Sequence, residues 1–168
     1  MSEDLTQAPT GPIVIVGAGH AGAMLCAGLA AAGQGARVHL VGDEAELPYQ
    51  RPPLSKSFLK SADETLQPFR PEAWYAQAGI TLYRGDAAVA IDRARGTLKL
   101  RSGREVAYAR LVLATGAAAR RVPEPPEALS NVAALRSAAD ALRLRTLLAN
   151  AQRVTVLGGG FIGLEIAA

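Results

Sequence analysis

The sequence predicts an α/β fold, a parallel sheet flanked by helices with a small antiparallel meander beside it. Three observations lead there. A short apolar run, Ile13-Val14-Ile15-Val16, passes through a glycine-rich turn into an alanine-rich stretch. The same succession returns near the end of the 168 residues, where Val154-Thr155-Val156-Leu157 precedes a second glycine-rich turn. Between the two lie short β-prone runs separated by glycine and serine turns.

In order along the chain, residues 1–12 read as a flexible tail. They are polar, carry Glu3 and Asp4, and lack the cationic and apolar regions of a signal peptide. Pro12–Val16 is the first strand and His20–Ala32 the crossover helix, stopped by Gly33-Gln34-Gly35. Residues 36–41 are the second strand. Leu47–Lys56 is a proline-stiffened loop leading into a helix near Ser55–Lys60, and Pro71–Ala78 a short helix opening on proline. A cluster of strands is expected at Thr81–Tyr83, Ala87–Asp92, Thr97–Arg101 and Glu105–Leu113, the last ending in Ala114-Thr115-Gly116. Pro123-Glu124-Pro125-Pro126 is a linker, and Ser137–Asn150 a helix with Ser137 as its N-cap. The second apolar run then forms a strand, and the helix after it reaches Ala168. A βαβ unit needs about 30 residues and neighbouring strands, so this second unit is expected to be incomplete and the chain part of a longer protein.

The two turns are Gly17-Ala18-Gly19-His20-Ala21-Gly22 and Gly158-Gly159-Gly160-Phe161-Ile162-Gly163. Each sits in the strand–turn–helix unit of a Rossmann-like dinucleotide site. The first glycine permits a tight turn, the second lets backbone approach a diphosphate, and the third lets the helix pack on the strand. Amides at the helix start face the anion, aided by a dipole of about half a charge. One such motif is weak evidence; two point to two dinucleotides, as when a flavin works beside a nicotinamide. Asp43 and Glu44 follow the second strand at the spacing of a ribose-binding carboxylate. Plain loop carboxylates are the alternative.

Composition narrows the classes. Hydrophobic residues make up 49 %, enough for a core, and no apolar run is long enough to cross a membrane. The net charge of +3 comes without a long basic run, which argues against nucleic-acid binding. No metal-ligand cluster is present; His20 and His39 stand apart. Cys26 is the lone cysteine and reads as a small buried residue, so no internal disulfide is possible. A cytoplasmic location is expected.

Together, Ile13–Gly22, Pro48–Lys56 with its Arg-Pro-Pro-Leu-Ser-Lys run, Leu111–Gly116 and Val156–Ala168 resemble the FAD-dependent pyridine nucleotide-disulfide oxidoreductase family. Within it they are similar to the ferredoxin reductases of the putidaredoxin and rubredoxin type. The resemblance covers nearly all of the chain after residue 12, but only the first two-fifths or so of a typical member. It implies that 13–116 is an FAD-binding domain and 117–168 the start of an NAD(P)H-binding domain.

It also implies residue roles. Gly17, Gly19, Ala21 and Gly22 would cradle the FAD diphosphate, and Asp43 would bind the adenosine ribose. Arg51 and Lys56 would lie near the flavin, with Lys56 beside its reactive ring. Ala88 would touch the adenine side, Thr115 and Gly116 would pass close to the cofactor, and Arg136 would contact FAD. Gly158, Gly160, Ile162, Gly163 and Glu165 would begin the NADH site. For Arg51, Lys56 and Arg136 the plain alternative is a solvated surface cation. Disulfide-reducing and peroxidase-like relatives carry cysteines near the flavin, and none stands at the corresponding places here. The implied activity therefore passes electrons from NADH through FAD to a small iron–sulfur protein. A truncated, non-catalytic piece or a plain cofactor-binding module is the competing expectation.

Overall fold

The computed structural model describes residues 10–120 and 129–168. The elements, in chain order, begin with β1 (Ile13–Val16), α1 (His20–Ala31), β2 (Val38–Val41), α2 (Ser57–Lys60) and α3 (Glu72–Gln77). Five strands follow: β3 (Thr81–Tyr83), β4 (Ala88–Asp92), β5 (Thr97–Leu100), β6 (Glu105–Ala107) and β7 (Arg110–Leu113). Two helices close the series, α4 (Ala138–Ala149) and α5 (Phe161–Ala167). The residues fall into two compact units. One holds the chain up to Tyr49 together with Pro68–Gly116, the other Gln50–Gln67 and Ala117–Ala168.

The first unit is built in three layers around a parallel sheet of order β3-β2-β1-β7. All four β1 side chains are buried, as expected of a central strand covered on both faces. Alternation along β1 then divides the core. Val14 and Val16, with Val41, meet Leu98, Leu100 and Val106 of the antiparallel sheet β4-β5-β6. Ile15, with Val38 and Leu40, meets Cys26 of α1 and Tyr75 of α3. Cys26 is buried, and burial pushes its thiol up to about 12, which makes it inert packing. Tyr75 is also buried, and its hydroxyl has no hydrogen-bond partner among the described residues; the ring, edge-on to Trp74 at 5.0 Å, is what the core uses.

Several elements differ from expectation. The run 105–113 is two strands in two sheets. Tyr108 N–H donates to Gly96 O, holding the end of the meander, and the next two amides, Ala109 and Arg110, both donate to Pro12 O. The chain crosses between layers at that point. Thr81–Tyr83 is the edge of the parallel sheet, paired with His39–Val41, rather than part of the meander. Residues 36 and 37 lie in a 3-10 turn, Gly35–Arg37, and β2 starts at Val38. The turn runs close against the end of α3, and only glycine fits there: a Cβ on Gly35 would come within 2.1 Å of Ala78 O. Gly11 and Pro12, in the segment read as a tail, are tied down, Gly11 O by Arg37 Nε at 2.9 Å.

In the second unit the proline loop forms a 3-10 turn, Pro52–Ser55, and continues into α2. α2 rests on α4, where Arg145 lies 4.9 Å over the Phe58 ring and donates to Ser61 O. Ser137 caps α4 as expected, and Asp140 completes a capping box. Residues 154–157, expected as a strand, have no regular secondary structure and are exposed, with Val154 54 % and Leu157 75 % accessible. Without a hydrogen-bonded neighbour among the described residues, the apolar run does not become a strand. The expected linker at 123–126 lies outside the described residues.

Candidate dinucleotide-binding site

Strand register builds the first site. Val16, the last residue of β1, stands beside Val41 of β2 and Leu113 of β7, so three strands end together. Gly17 turns the chain there with φ +117, its N–H donating to Val41 O at 2.8 Å, while Ala114 N–H donates to Val16 O at 2.7 Å. Only glycine fits. A Cβ on Gly17 would come within 2.2 Å of Ala114 O and 3.0 Å of Thr115 N, and one on Gly22 within 2.0 Å of Gly17 O. These contacts place α1 against the sheet edge.

Gly19 behaves differently. It is the N-cap of α1 in extended geometry, and a Cβ there would meet nothing within 4 Å. No side chain caps this helix end and no acidic residue occupies its first turn. The helix-start amides thus have no side-chain acceptor among the described residues, and open space lies at Gly19 beside the exposed His20 and Ala21. A diphosphate fits such a cradle, because its oxygens would accept from those amides and the missing Cβ of Gly19 leaves room for them.

The structure brings Gly17, Gly19, Ala21, Gly22 and Thr115 together at this edge, with the exposed Gly116 (φ +68) next along the chain. Asp43 is exposed just past β2, after Gly42, whose Cβ would come within 2.7 Å of Ala18 Cβ. Ala88 stands apart from this turn. It begins β4 in the meander, at an irregular register, and is half-buried against the core cluster that contains Val14 and Val16. Two neighbours of the turn had no sequence signal. The Phe69 ring sits edge-on to His20 at 4.9 Å, and Tyr49 donates its phenol proton to Glu44 Oε2 at 2.5 Å.

In the second unit the later glycine turn repeats the geometry. Gly158 has φ +110, a Cβ on Gly163 would come within 2.4 Å of Gly158 O, and Gly158, Gly159 and Gly160 face open space. Gly160 is the N-cap of α5, and Ile162 is exposed on its first turn. On the same helix Glu165 accepts from Ser55 Oγ at 2.5 Å and pairs with Lys56 Nζ at 2.9 Å. The Ser55 hydroxyl first, and the Lys56 ammonium after it, hold the Glu165 carboxyl below the usual carboxylate range. Lys56, Glu165, Ser55, Ser57 and Lys60 line a cavity of about 400 Å³ with Ala168. Arg51 and Arg136 also meet, Arg51 Nη1 donating to the Arg136 carbonyl at 2.6 Å. Arg136 N–H is taken by Asp140, so its backbone is fixed at the start of α4.

Comparison with known proteins agrees with this geometry. The profile of the pyridine nucleotide-disulphide oxidoreductase family matches residues 11–168. A rubredoxin-NAD(+) reductase from Pseudomonas putida is 45 % identical over 156 residues, 92 % of this chain and 40 % of the relative. The ferredoxin reductase for the CYP199A2 system of Rhodopseudomonas palustris superposes with a TM-score of 0.88 at 43 % identity, over 95 % of this chain and 39 % of that one. The reductase in a covalent putidaredoxin reductase–putidaredoxin complex gives 0.84 at 39 % identity, over 95 % and 39 %. The chain therefore spans about 40 % of the length of the curated relative it matches.

Proposed function

The chain belongs to the pyridine nucleotide-disulphide oxidoreductase family, and from that premise we propose that it carries the FAD cradle and the opening of the nicotinamide site of an NADH-dependent ferredoxin- or rubredoxin-type reductase. The single observation that carries this reading is the open, uncapped glycine turn at the shared end of β1, β2 and β7. Gly17, Gly19, Ala21 and Gly22 hold the FAD diphosphate, Asp43 the adenosine ribose, and Thr115 and Gly116 line the approach. Ala88, Arg51 and Arg136 are assigned to FAD on the family resemblance. Gly158, Gly160, Ile162, Gly163 and Glu165 open the NADH site. NADH is preferred over NADPH on the support of the relative's name, which specifies NAD(+).

FAD, when bound, exchanges electrons in pairs or singly, which joins a hydride donor to a one-electron acceptor. The acceptor we assign is a small acidic iron–sulfur protein in the cytoplasm. The chain's charge suits it, since residues 84–110 carry seven cationic side chains against three carboxylates. Ser55-Lys56-Ser57 stands where peroxidase-like relatives carry a cysteine, and Cys26 is buried, which supports single-electron transfers as the way out.

Lys56 is the cation assigned to stabilise negative charge on reduced flavin, and Glu165 and the Pro52 carbonyl, 3.4 Å away, orient its ammonium. Lys56→Ala is expected to lower the bound flavin's reduction potential or slow its reduction by NADH by about tenfold. Spectroelectrochemistry and anaerobic stopped-flow read the two quantities, and no change in either removes Lys56 from the chemistry. The exposed 154–157 segment favours a second reading, a module that holds cofactor without turnover. Bound flavin that NADH fails to bleach would select it.

A further inference from the structure

We propose that Tyr49 is a positioning residue for the adenosine end of the dinucleotide, acting through Glu44 so that Asp43 alone of the acidic pair is presented to the ribose. The inference rests on the FAD reading above and assigns a role to two residues that the family motif leaves open.

The turn after β2 is braced along its backbone. Gly42 N–H donates to Tyr83 O at 2.8 Å, Asp86 N–H donates to Gly42 O at 3.0 Å, and Gly85 N–H donates to Glu44 O at 2.8 Å. The main chain on either side of Asp43 is thus bonded to the segment that follows β3. Glu44 is then fixed by its side chain as well. The Tyr49 phenol reaches it at 2.5 Å, the length of a strong bond between a hydroxyl and a carboxylate. Tyr49 is itself anchored. It is only 4 % exposed, forms a β-bridge with Pro68, and follows Pro48, whose carbonyl accepts from Phe69 N–H at 2.9 Å.

Two adjacent carboxylates at the end of one strand therefore have different surroundings: Glu44 half-buried and held by a phenol, Asp43 exposed at the tip. The division matters for a ligand that carries a ribose beyond its diphosphate. Holding Glu44 stiffens the turn that presents Asp43, so the ribose hydroxyls meet a carboxylate already in place, while the glycine turn that meets the diphosphate is untouched.

The test measures ADP and FAD affinity of the 168-residue chain by calorimetry and flavin fluorescence, with inorganic pyrophosphate as a probe that meets the glycine turn but offers no ribose. Tyr49→Phe and Glu44→Ala are each expected to weaken ADP and FAD about tenfold, and the double variant no further than either alone. Glu44→Gln, whose amide oxygen still accepts from the phenol, should restore affinity to within about threefold of the parent. Pyrophosphate affinity should stay unchanged in all of them. Unaltered or tighter ADP binding by Tyr49→Phe overturns the proposal, as does an equal loss for pyrophosphate, which marks a general loosening of the fold. A parent chain that binds neither ADP nor FAD sinks the FAD reading itself, and this role with it.

Discussion

Gly22→Ala is expected to destabilise the first unit by about 3 kcal/mol or more, lowering its melting temperature by roughly 10 °C. The cause is contact of backbone with backbone. The new Cβ would come within 2.0 Å of Gly17 O, and neither the turn nor α1 can yield without breaking the bond from Gly17 N–H to Val41 O. Gly28→Ala, in the same helix, is the control. A Cβ there meets nothing within 4 Å, so a gain of up to about 1 kcal/mol is expected from the lower helix propensity of glycine. Circular-dichroism melts of the two variants decide the matter. A Gly22→Ala chain as stable as the parent would mean that α1 does not sit on the turn as described.

Gly19→Val is expected to do the reverse, leaving the melting temperature near that of the parent while weakening FAD binding by about a hundredfold or more, close to 3 kcal/mol. Gly19 has extended backbone, φ −86 and ψ −165, which valine adopts readily, and open space surrounds its missing side chain. The space is what the ligand uses. A β-branched side chain there would stand where phosphate oxygens meet the helix amides. Flavin fluorescence titration beside a melt separates the two effects. The contrast between Gly19 and Gly22 thus tests the cradle one glycine at a time.

What could be read from the chain beforehand depended on how local the cause was. β1, α1 and the twin turns were legible because the apolar run, the glycine spacing and the helix that follows are contiguous. Ser137 was legible as a cap for the same reason. Asp43 stood out because its distance along the chain from Gly22 is set by one helix and one strand.

The division of residues 105–113 between two sheets was not legible. It hangs on the Pro12 carbonyl, nearly a hundred residues earlier, accepting two successive amides. Tyr83 looked like part of a meander and is the edge of the parallel sheet, since alternation alone does not name the partner strand. At the candidate site, Lys56 and Glu165 were each visible as family positions, but their ion pair was not, nor was the buried Ser55 hydroxyl that also donates to Glu165. The Tyr49–Glu44 bond was likewise hidden, because only the folded loop gives the phenol its direction. The run 154–157 shows the opposite failure. Its pattern reads as a strand, yet pattern supplies no neighbour, and without one the backbone stays unpaired among the described residues.

The measurement that bears most directly on the account is a titration of the purified 168-residue chain with FAD, followed by visible absorbance and by quenching of flavin fluorescence. The account predicts saturable one-to-one binding that ADP competes away and that Gly19→Val weakens by about a hundredfold or more. Absence of binding, or binding indifferent to both ADP and Gly19→Val, would contradict the claim that the open turn at the end of β1 holds a dinucleotide.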